Sequence, residues 1–334
     1  MNTAVPSRYR DRSSILMLIG ILLLLVGVVC AALGPVELYC FYLFSEGGRF
    51  HYDGFGFGSF MFAFIALQIM GYYVLAMVCI PLGYAHLKPR RWARAIGLAG
   101  VGLWFVVGIP LLVVFMAILV TSKDPSPRAI LSTVPLLVLA YPVLPSALAW
   151  FYRSRDVRLT FEHDDPSPHW TDQMPVPILT LCMLYIFWII ALHIAIVLSG
   201  TFPIFGILLS ELHGILLIDA SILILAGLTW GTFKQQSWAW WGAVVWFAGM
   251  ALSVIWTFSR LSWRDLLGTM KFAPTEMEAL KGVPASGVHI AAFVGLPLLA
   301  TLGVILRSKR CFGTVRQMPD SGGRPVTKTE GGMT

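Results

Sequence analysis

The sequence predicts an all-α, polytopic integral membrane protein with about eight transmembrane helices. Of its 334 residues, 57% are hydrophobic and only 12% are charged, and the mean hydropathy is +0.77. A soluble domain is roughly 25% charged, so this chain has too few charged side chains to cover a globular surface. Its apolar residues also gather into stretches of about 20, the length that a helix needs to cross a bilayer. These observations exclude a soluble enzyme, a disordered chain and a collagen-like fibre.

Eight apolar stretches qualify as spans, with boundaries defined to within a few residues. They run over about 14–34, 59–86, 96–120, 131–151, 176–199, 206–231, 239–258 and 287–306. The first stretch follows the basic residues Arg8, Arg10 and Arg12, in the way that the apolar region of a signal peptide follows its basic N-terminal region. Its apolar run exceeds the usual length of about 7–15 residues and no clear small-residue cleavage site follows, so we interpret it as an uncleaved span. In the fourth span, Pro142 and Pro145 predict a kink.

The distribution of lysine and arginine predicts the orientation in the membrane. With the N-terminus in the cytoplasm, most of the 24 basic residues lie on the cytoplasmic side, as the positive-inside rule requires. Eight spans then bring the C-terminus to the cytoplasm as well. We expect a multi-pass protein of the plasma or inner membrane, with the lipid bilayer and other membrane subunits as its partners. Nucleic acid is not expected as a partner, because the net charge of +7 arises from short loops beside the spans.

The chain divides into two halves around a central loop. The predicted parts are a four-helix half over 1–151, a cytoplasmic linker over 152–175, a second four-helix half over 176–306, and a disordered tail over 307–334. In each half a lysine is followed four residues later by Trp-Ala at the start of a span: Lys88 precedes Trp92, and Lys234 precedes Trp238. The match favours an internal duplication. A basic turn before an interfacial tryptophan is also a common helix start, so both interpretations stay open.

The outer loop 259–286 has a helical pattern. Apolar residues at positions i, i+3, i+4 and i+7 form one face; they are Trp263, Leu266, Leu267 and Met270. The pattern predicts an interfacial helix on the outer membrane surface, followed by a second short turn that ends at Gly282. The loop is interpreted either as a lid over a cavity or as a segment that merely buries its apolar face.

The linker is rich in residues that divalent metals accept as ligands. These are Glu162, His163, Asp164, Asp165, His169 and Asp172. Its prolines, however, predict an irregular loop, and a metal site must hold its ligands to within about 0.2 Å. We therefore do not expect a metal site in the linker.

The ionisable side chains inside the spans are the most informative residues for function, because such groups are costly in lipid and commonly mark a site. They are His193 in span five, Glu211, His213 and Asp219 in span six, and His289 in span eight. If the sixth helix begins near residue 206, Glu211 lies about 10 Å below the outer surface and Asp219 about 20 Å. His193 is then level with Glu211 or His213. A polar pocket is predicted between spans five, six and eight.

Three functions are compatible with such a pocket. A transporter-like protein would move a proton or a small solute along Glu211, Asp219 and His193. A haem or metal pocket would use the nitrogens of His213 and His289 as ligands. A non-catalytic subunit of a membrane complex would use the same residues to hold helices together. The first interpretation is preferred; no catalytic residue is predicted, and an enzyme is less favoured.

The positions of His213 and His289, near the outer ends of spans six and eight, resemble the haem A synthase family. The resemblance implies eight spans in two four-helix halves, both termini in the cytoplasm, and haem as a cofactor. This chain departs from the family pattern, because spans two and four have no histidine in their outer halves. Cys40 also stands alone in the first outer loop, where the family often carries a cysteine pair. The resemblance covers the last third of the chain.

Overall fold

The predicted all-α polytopic fold is confirmed. The computed structural model describes residues 9–52, 56, 59–121, 127–197, 200–270, 274–281 and 286–313. Within these ranges the chain is 84% helical, and eight helices are long and apolar enough to cross a membrane. Of the tail expected to be disordered, residues 307–313 are described and contain the end of α13 and a 3-10 turn, while 314–334 lie outside the described residues.

The elements follow the predicted order of spans. The first half contains α1 (Ser13–Phe44), α2 (Phe60–Leu87), α3 (Arg91–Thr121), α4 (Pro127–Val138), a π-helical turn (Leu139–Val143) and α5 (Leu144–Arg153). The linker contains α6 (Arg155–Asp164) and α7 (Trp170–Gln173). The second half contains α8 (Val176–Val197), β1 (Phe202–Ile204), β2 (Ile207–Leu209), α9 (Glu211–Phe233), α10 (Ser237–Arg260), α11 (Trp263–Met270), α12 (Pro274–Lys281), α13 (Gly287–Arg307) and a 3-10 turn (Lys309–Cys311). We call the membrane side where α1 begins the N-terminal face, and the other side the opposite face.

The first two helices pack closely because small residues line their contact. Gly20, Gly27 and Gly34 recur every seven residues and face α2. A Cβ atom at Gly20 would lie 2.9 Å from the carbonyl oxygen of Gly83, and one at Gly83 would lie 2.8 Å from that of Gly20. Small residues of this kind allow two backbones to approach in a membrane. The contact extends along α1 from Gly20 to Gly34.

The main core lies in the second half, among α8, α9, α10 and α13. Tyr185 and Phe247 are fully buried there and stack with ring centroids 5.4 Å apart. The indole N–H of Trp188 donates to Thr301 Oγ1 at 3.1 Å, and that of Trp240 donates to the Ile305 carbonyl at 2.9 Å. α3 packs against both α8 and α13. The third span therefore joins the first half to the core of the second.

The fourth span is interrupted by a π-helical turn at the position of the predicted kink. Pro142 lies in the π-helical turn, and Pro145 is in the first turn of α5. Proline has no N–H to donate and its ring crowds the preceding turn, so the regular hydrogen-bond ladder is interrupted there. The break separates α4 from α5.

The linker forms two short helices, so the prediction of an irregular loop was wrong. Ser154 caps α6 by accepting a hydrogen bond from the Val157 N–H at 3.4 Å. Val157 and Phe161 are buried and pack with Leu16 of α1 in a small second core. The prolines fall outside both helices, where they do not disturb them. Burial of one apolar face against the spans thus orders a segment whose composition alone favours a loop.

The sixth span begins later than predicted, because the first residues of 206–231 belong to a β-hairpin. Phe205 and Gly206 form its tip, with φ angles of +36° and +97°. Their N–H groups donate to Ser253 Oγ at 3.0 Å and to Thr257 Oγ1 at 2.9 Å, both on α10. Short apolar runs do not distinguish a strand from a helix by periodicity. The two hydroxyl groups of α10 accept hydrogen bonds from backbone N–H groups at the tip of the hairpin, and this stabilises the hairpin in place of a helical turn.

The predicted helix on the opposite face is confirmed as α11, followed by a second short helix, α12. Leu266 and Leu267 are buried in the protein, and the indole N–H of Trp263 donates to the Leu280 carbonyl of α12 at 2.9 Å. The apolar face of α11 thus packs partly against α12. The predicted stop at Gly282 lies outside the described residues.

Candidate functional site

Asp219 lies on the outer face of α9, within the span. It follows the first residue of α9 by eight positions, which places it about 12 Å from the helix start rather than 20 Å. The difference arises because the helix does not begin near residue 206: the hairpin occupies the residues assigned to the first turns. The Asp219 side chain is exposed and makes no hydrogen bond or ion pair within the described part of the chain. It interrupts an exposed apolar stripe made of Leu212, Leu216, Leu223 and Trp230.

His193 lies at the depth of Asp219 on the neighbouring helix. The Cys182 thiol contacts the Thr229 carbonyl at 3.9 Å, which fixes the register of α8 against α9. His193 lies about 16.5 Å from Cys182, and Asp219 about 15 Å from Thr229, both towards the opposite face. The two side chains are therefore level to within one helical turn. His193 was predicted to be level with Glu211 or His213; the later start of α9 moves those residues closer to the opposite face.

The imidazole of His193 has one engaged nitrogen and one open nitrogen. Nδ1 lies 2.8 Å from the Ile189 carbonyl and donates to it, because a carbonyl oxygen only accepts. Nε2 has no partner among the described residues, and the side chain is exposed. At 100° per residue, His193 lies only about 20° around α8 from Cys182. It therefore occupies the edge of α8 that borders α9.

Glu211 and His213 occupy the first turn of α9. Glu211 is exposed, has a φ angle of +57° and is the first residue of the helix, so it lies at the end of the span. His213 is also exposed, and at 100° per residue it lies about 120° around the helix from Asp219. His213 and Asp219 therefore do not share a face.

His289 is engaged in a helix cap. It is the third residue of α13, which agrees with its predicted position near the end of span eight. Its Nδ1 accepts from the Ser286 N–H at 3.1 Å, and Ser286 Oγ accepts from the His289 N–H at 3.4 Å. This reciprocal pair satisfies two N–H groups at the helix start. Within the described residues, no group of three or more His, Cys, Asp or Glu side chains forms a metal site.

No protein-family model, curated protein or solved structure matches this chain. The resemblance to haem A synthase therefore depends on the layout of the spans and on the positions of His213 and His289. Of these two, His289 already uses one ring nitrogen in the cap of α13. The function must be argued from the geometry of the residues themselves.

The acidic residues of the linker form ion pairs at the N-terminal face. Arg91 lies 3.5 Å from Glu162 and 3.6 Å from Asp172, and its N–H donates to Asp165 at 3.3 Å. Burial acts to raise the pKa of Glu162, but the hydrogen bond from Arg158, at 2.7 Å, and the nearby positive charges lower it below the usual range. Three of the residues considered as metal ligands thus hold the linker against α3.

His86 is a buried histidine that the sequence did not single out. It is fully buried in α2 near the N-terminal face. Its Nδ1 donates to the Leu82 carbonyl at 2.6 Å, and the Tyr152 hydroxyl donates to its Nε2 at 2.6 Å. Both ring nitrogens are therefore engaged, which gives His86 a structural role. In the sequence it stands at the end of a span beside Lys88 and looks like an ordinary interfacial residue.

Glu276 is a second residue that the sequence did not reveal. Its carboxylate accepts from the N–H groups of Phe60 at 2.9 Å and Met61 at 3.1 Å, at the start of α2. The first N–H groups of a helix have no partner within it, and a negative charge there is favourable. A residue of α12 thus caps a helix of the other half, 216 positions away from Phe60.

Proposed function

We propose that the protein is transporter-like and moves a proton or a small solute past Asp219 and His193, beside the contact between α8 and α9. The observation that carries the proposal is the carboxyl group of Asp219. It lies about 12 Å inside the span and has no partner among the described residues. An ionisable group in this position costs roughly 2.5–3.5 kcal/mol on insertion scales. A residue so unfavourable for stability supports a functional role.

The two directions along α9 from Asp219 differ in polarity. Towards the opposite face, Glu211 lies about 12 Å from Asp219, at the exposed start of α9. Towards the N-terminal face, the next 15 Å or so of α9, as far as Thr229, contains no ionisable residue, and its one hydroxyl group, on Ser221, is buried. This pattern supports access from the opposite face and an apolar barrier that must open for release.

The pair also has the chemistry to pass a proton. When the two groups meet, a protonated Asp219 can pass its proton to the open Nε2 of His193, which leaves a carboxylate and an imidazolium ion. The other nitrogen, Nδ1, already carries a proton and donates it to Ile189. In the reverse step, Nε2 returns its proton to the carboxylate. Carboxylates and histidines within spans commonly form such proton relays.

Proton flux into liposomes tests the proposal. We expect purified protein to acidify the vesicle interior under a pH gradient, and Asp219→Asn to abolish that flux because an amide cannot release a proton. Glu278→Gln is the matched control, since it makes the same chemical change at an exposed carboxyl outside the spans. Correct insertion of each variant is checked by protease accessibility of the termini. Unchanged flux in Asp219→Asn would contradict the proposal.

A non-catalytic subunit of a membrane complex is the second candidate. The outward direction of Asp219 favours it, because polar residues that face out of one chain can bind a neighbouring helix. A co-purifying partner together with an absence of flux would support this role. A Soret band that weakens in His213→Ala or His289→Ala would instead support the haem alternative, and a colourless preparation would contradict it.

A further inference from the structure

We infer that two copies of this chain associate through the outer surface of α8 and α9, where Asp219 of each copy pairs with His193 of the other. We call this surface the α8–α9 surface. It comprises Ile186 and His193 on α8 and the stripe of Leu212, Leu216, Asp219, Leu223 and Trp230 on α9. The inference builds on the proposed function, because it assigns a partner to the same two polar residues.

The first argument is that α9 has an apolar face on each side. One face packs into the core with Gly214, Ile218, Ser221, Leu225 and Leu228, spaced by three and four residues. The stripe repeats that spacing on the outer side, where its four apolar members are between 57% and 73% exposed. The apolar members can face lipid without cost, but the ionisable side chain of Asp219 among them cannot. Ionisable residues in spans almost always face protein or a water-filled cavity, so a partner is required there.

The second argument is symmetry. Two copies in one membrane share their orientation, so a two-fold axis between them runs along the membrane normal and keeps every residue at its own depth. An interface of this kind is self-complementary. Asp219 and His193 lie at one depth on one surface. An axis that passes between them therefore brings the acid of each copy to the base of the other and forms two equivalent pairs.

The third argument is chemical. The open Nε2 of His193 accepts a hydrogen bond from a protonated Asp219, or donates one to its carboxylate when the ring is charged. Both forms satisfy the two groups, and the form with a charged ring is a strong, charge-assisted bond. A different membrane protein would have to bring its own base to this depth, whereas a second copy already carries one. Gly227 also leaves the surface open, since a Cβ there would meet nothing within 4 Å, and small residues help helices to approach.

The experiment uses two differently tagged forms of the full chain, co-reconstituted in liposomes at low protein density. We expect wild-type copies with one tag to recover copies with the other. Asp219→Leu alone and His193→Leu alone should each lower that recovery about tenfold, which corresponds to roughly 1.4 kcal/mol. If the copies associated without these pairs, neither substitution would lower the recovery, and the inference would be overturned.

A mixed reconstitution separates pairing between copies from pairing within one chain. When Asp219→Leu carries one tag and His193→Leu the other, a mixed dimer keeps one intact acid–base pair and opposes two leucines at the other position. We expect mixed dimers to be recovered several-fold better than dimers of either variant alone. If the pair formed within a single chain, mixed and unmixed recoveries would be equal, and the inference would be overturned. The same two variants form the mixed and the unmixed dimers. A general loss of folding would therefore lower both recoveries and could not produce the difference between them.

Two apolar substitutions provide a matched control. Leu223 is 73% exposed on the stripe of α9, and Val245 is 70% exposed on α10, outside the α8–α9 surface. Leu223→Ala should weaken association while Val245→Ala leaves it unchanged. Equal effects of the two, or a wild-type protein that is monomeric, would overturn the inference. Proton flux by a monomeric protein would overturn the dimer alone, whereas association without flux would contradict only the proposed function.

Discussion

Histidines in this protein are distinguished by how many ring nitrogens are engaged. His86 uses both, one with a backbone carbonyl and one with Tyr152. His289 uses one in a helix cap, where it ties the start of α13. His193 uses one to hold its ring against its own helix and leaves the other open at an exposed position. Residue type and depth alone do not separate these roles, because each depends on the neighbouring acceptors and donors.

Removal of the Tyr152 hydroxyl tests the structural role of His86. Tyr152→Phe leaves Nε2 of a fully buried imidazole without its donor. An unsatisfied buried acceptor costs about 1–3 kcal/mol, so we expect the free energy of unfolding in detergent to fall by that amount. Tyr84→Phe is the control, because Tyr84 is half-exposed on α2. Equal stability of the two variants would contradict this role.

At the scale of the elements, close backbone contact decides how α1 and α2 associate. Gly20 meets the backbone of α2 at a point where no side chain can move aside. Gly71, also within the α1–α2 pair, has open space around it. The two glycines are alike in sequence context, since both stand in long apolar helices, but only one is required by packing.

Substitution of these glycines separates packing from helix propensity. Gly20→Ala should lower the free energy of unfolding by about 1–3 kcal/mol, because the added methyl group overpacks the contact. Gly71→Ala should raise it by roughly 0.5–1 kcal/mol, since alanine favours the helix where space is available. Both are measured by denaturant unfolding in the same detergent. A stabilising effect at Gly20 would show that the helices are further apart than described.

At the scale of the whole molecule, the two halves contact each other within the spans and on the opposite face, and the linker binds the first half on the N-terminal face. α3 packs on α8 and α13 within the spans. On the N-terminal face, Arg91 of α3 binds the linker through Glu162 and Asp172. On the opposite face, Glu276 of α12 caps α2. The predicted four-helix halves are thus joined directly at two levels, and the linker is held against the first half at a third.

The contribution of the Glu276 contact can be measured. Glu276→Gln removes the negative charge and one of the two acceptors at the start of α2, so we expect a loss of about 1 kcal/mol in the free energy of unfolding. Protease cleavage between α11 and α12 should become faster, because the cap holds α12 in place. Glu278→Gln, on the same helix and exposed, should change neither quantity. Equal cleavage rates in the two variants would contradict this role of the cap.

The sequence by itself determined the class of protein, the order of its spans and the residues that are unusual within them. These properties follow from composition and from hydropathy over short windows, which act locally along the chain. Asp219 and His193 were found in this way, as was the helix that begins at Trp263. The break at Pro142 follows equally from one residue and its missing N–H.

Only the tertiary structure decided where the sixth helix begins, which face Asp219 occupies and which acids are already paired. The hairpin before α9 depends on hydroxyl groups of α10. The cap on α2 depends on Glu276. These partners are some fifty to more than two hundred residues apart, and local hydropathy carries no information about such distances. The depth of an ionisable residue follows from its helix, but the partner it faces follows from the packing of the whole chain.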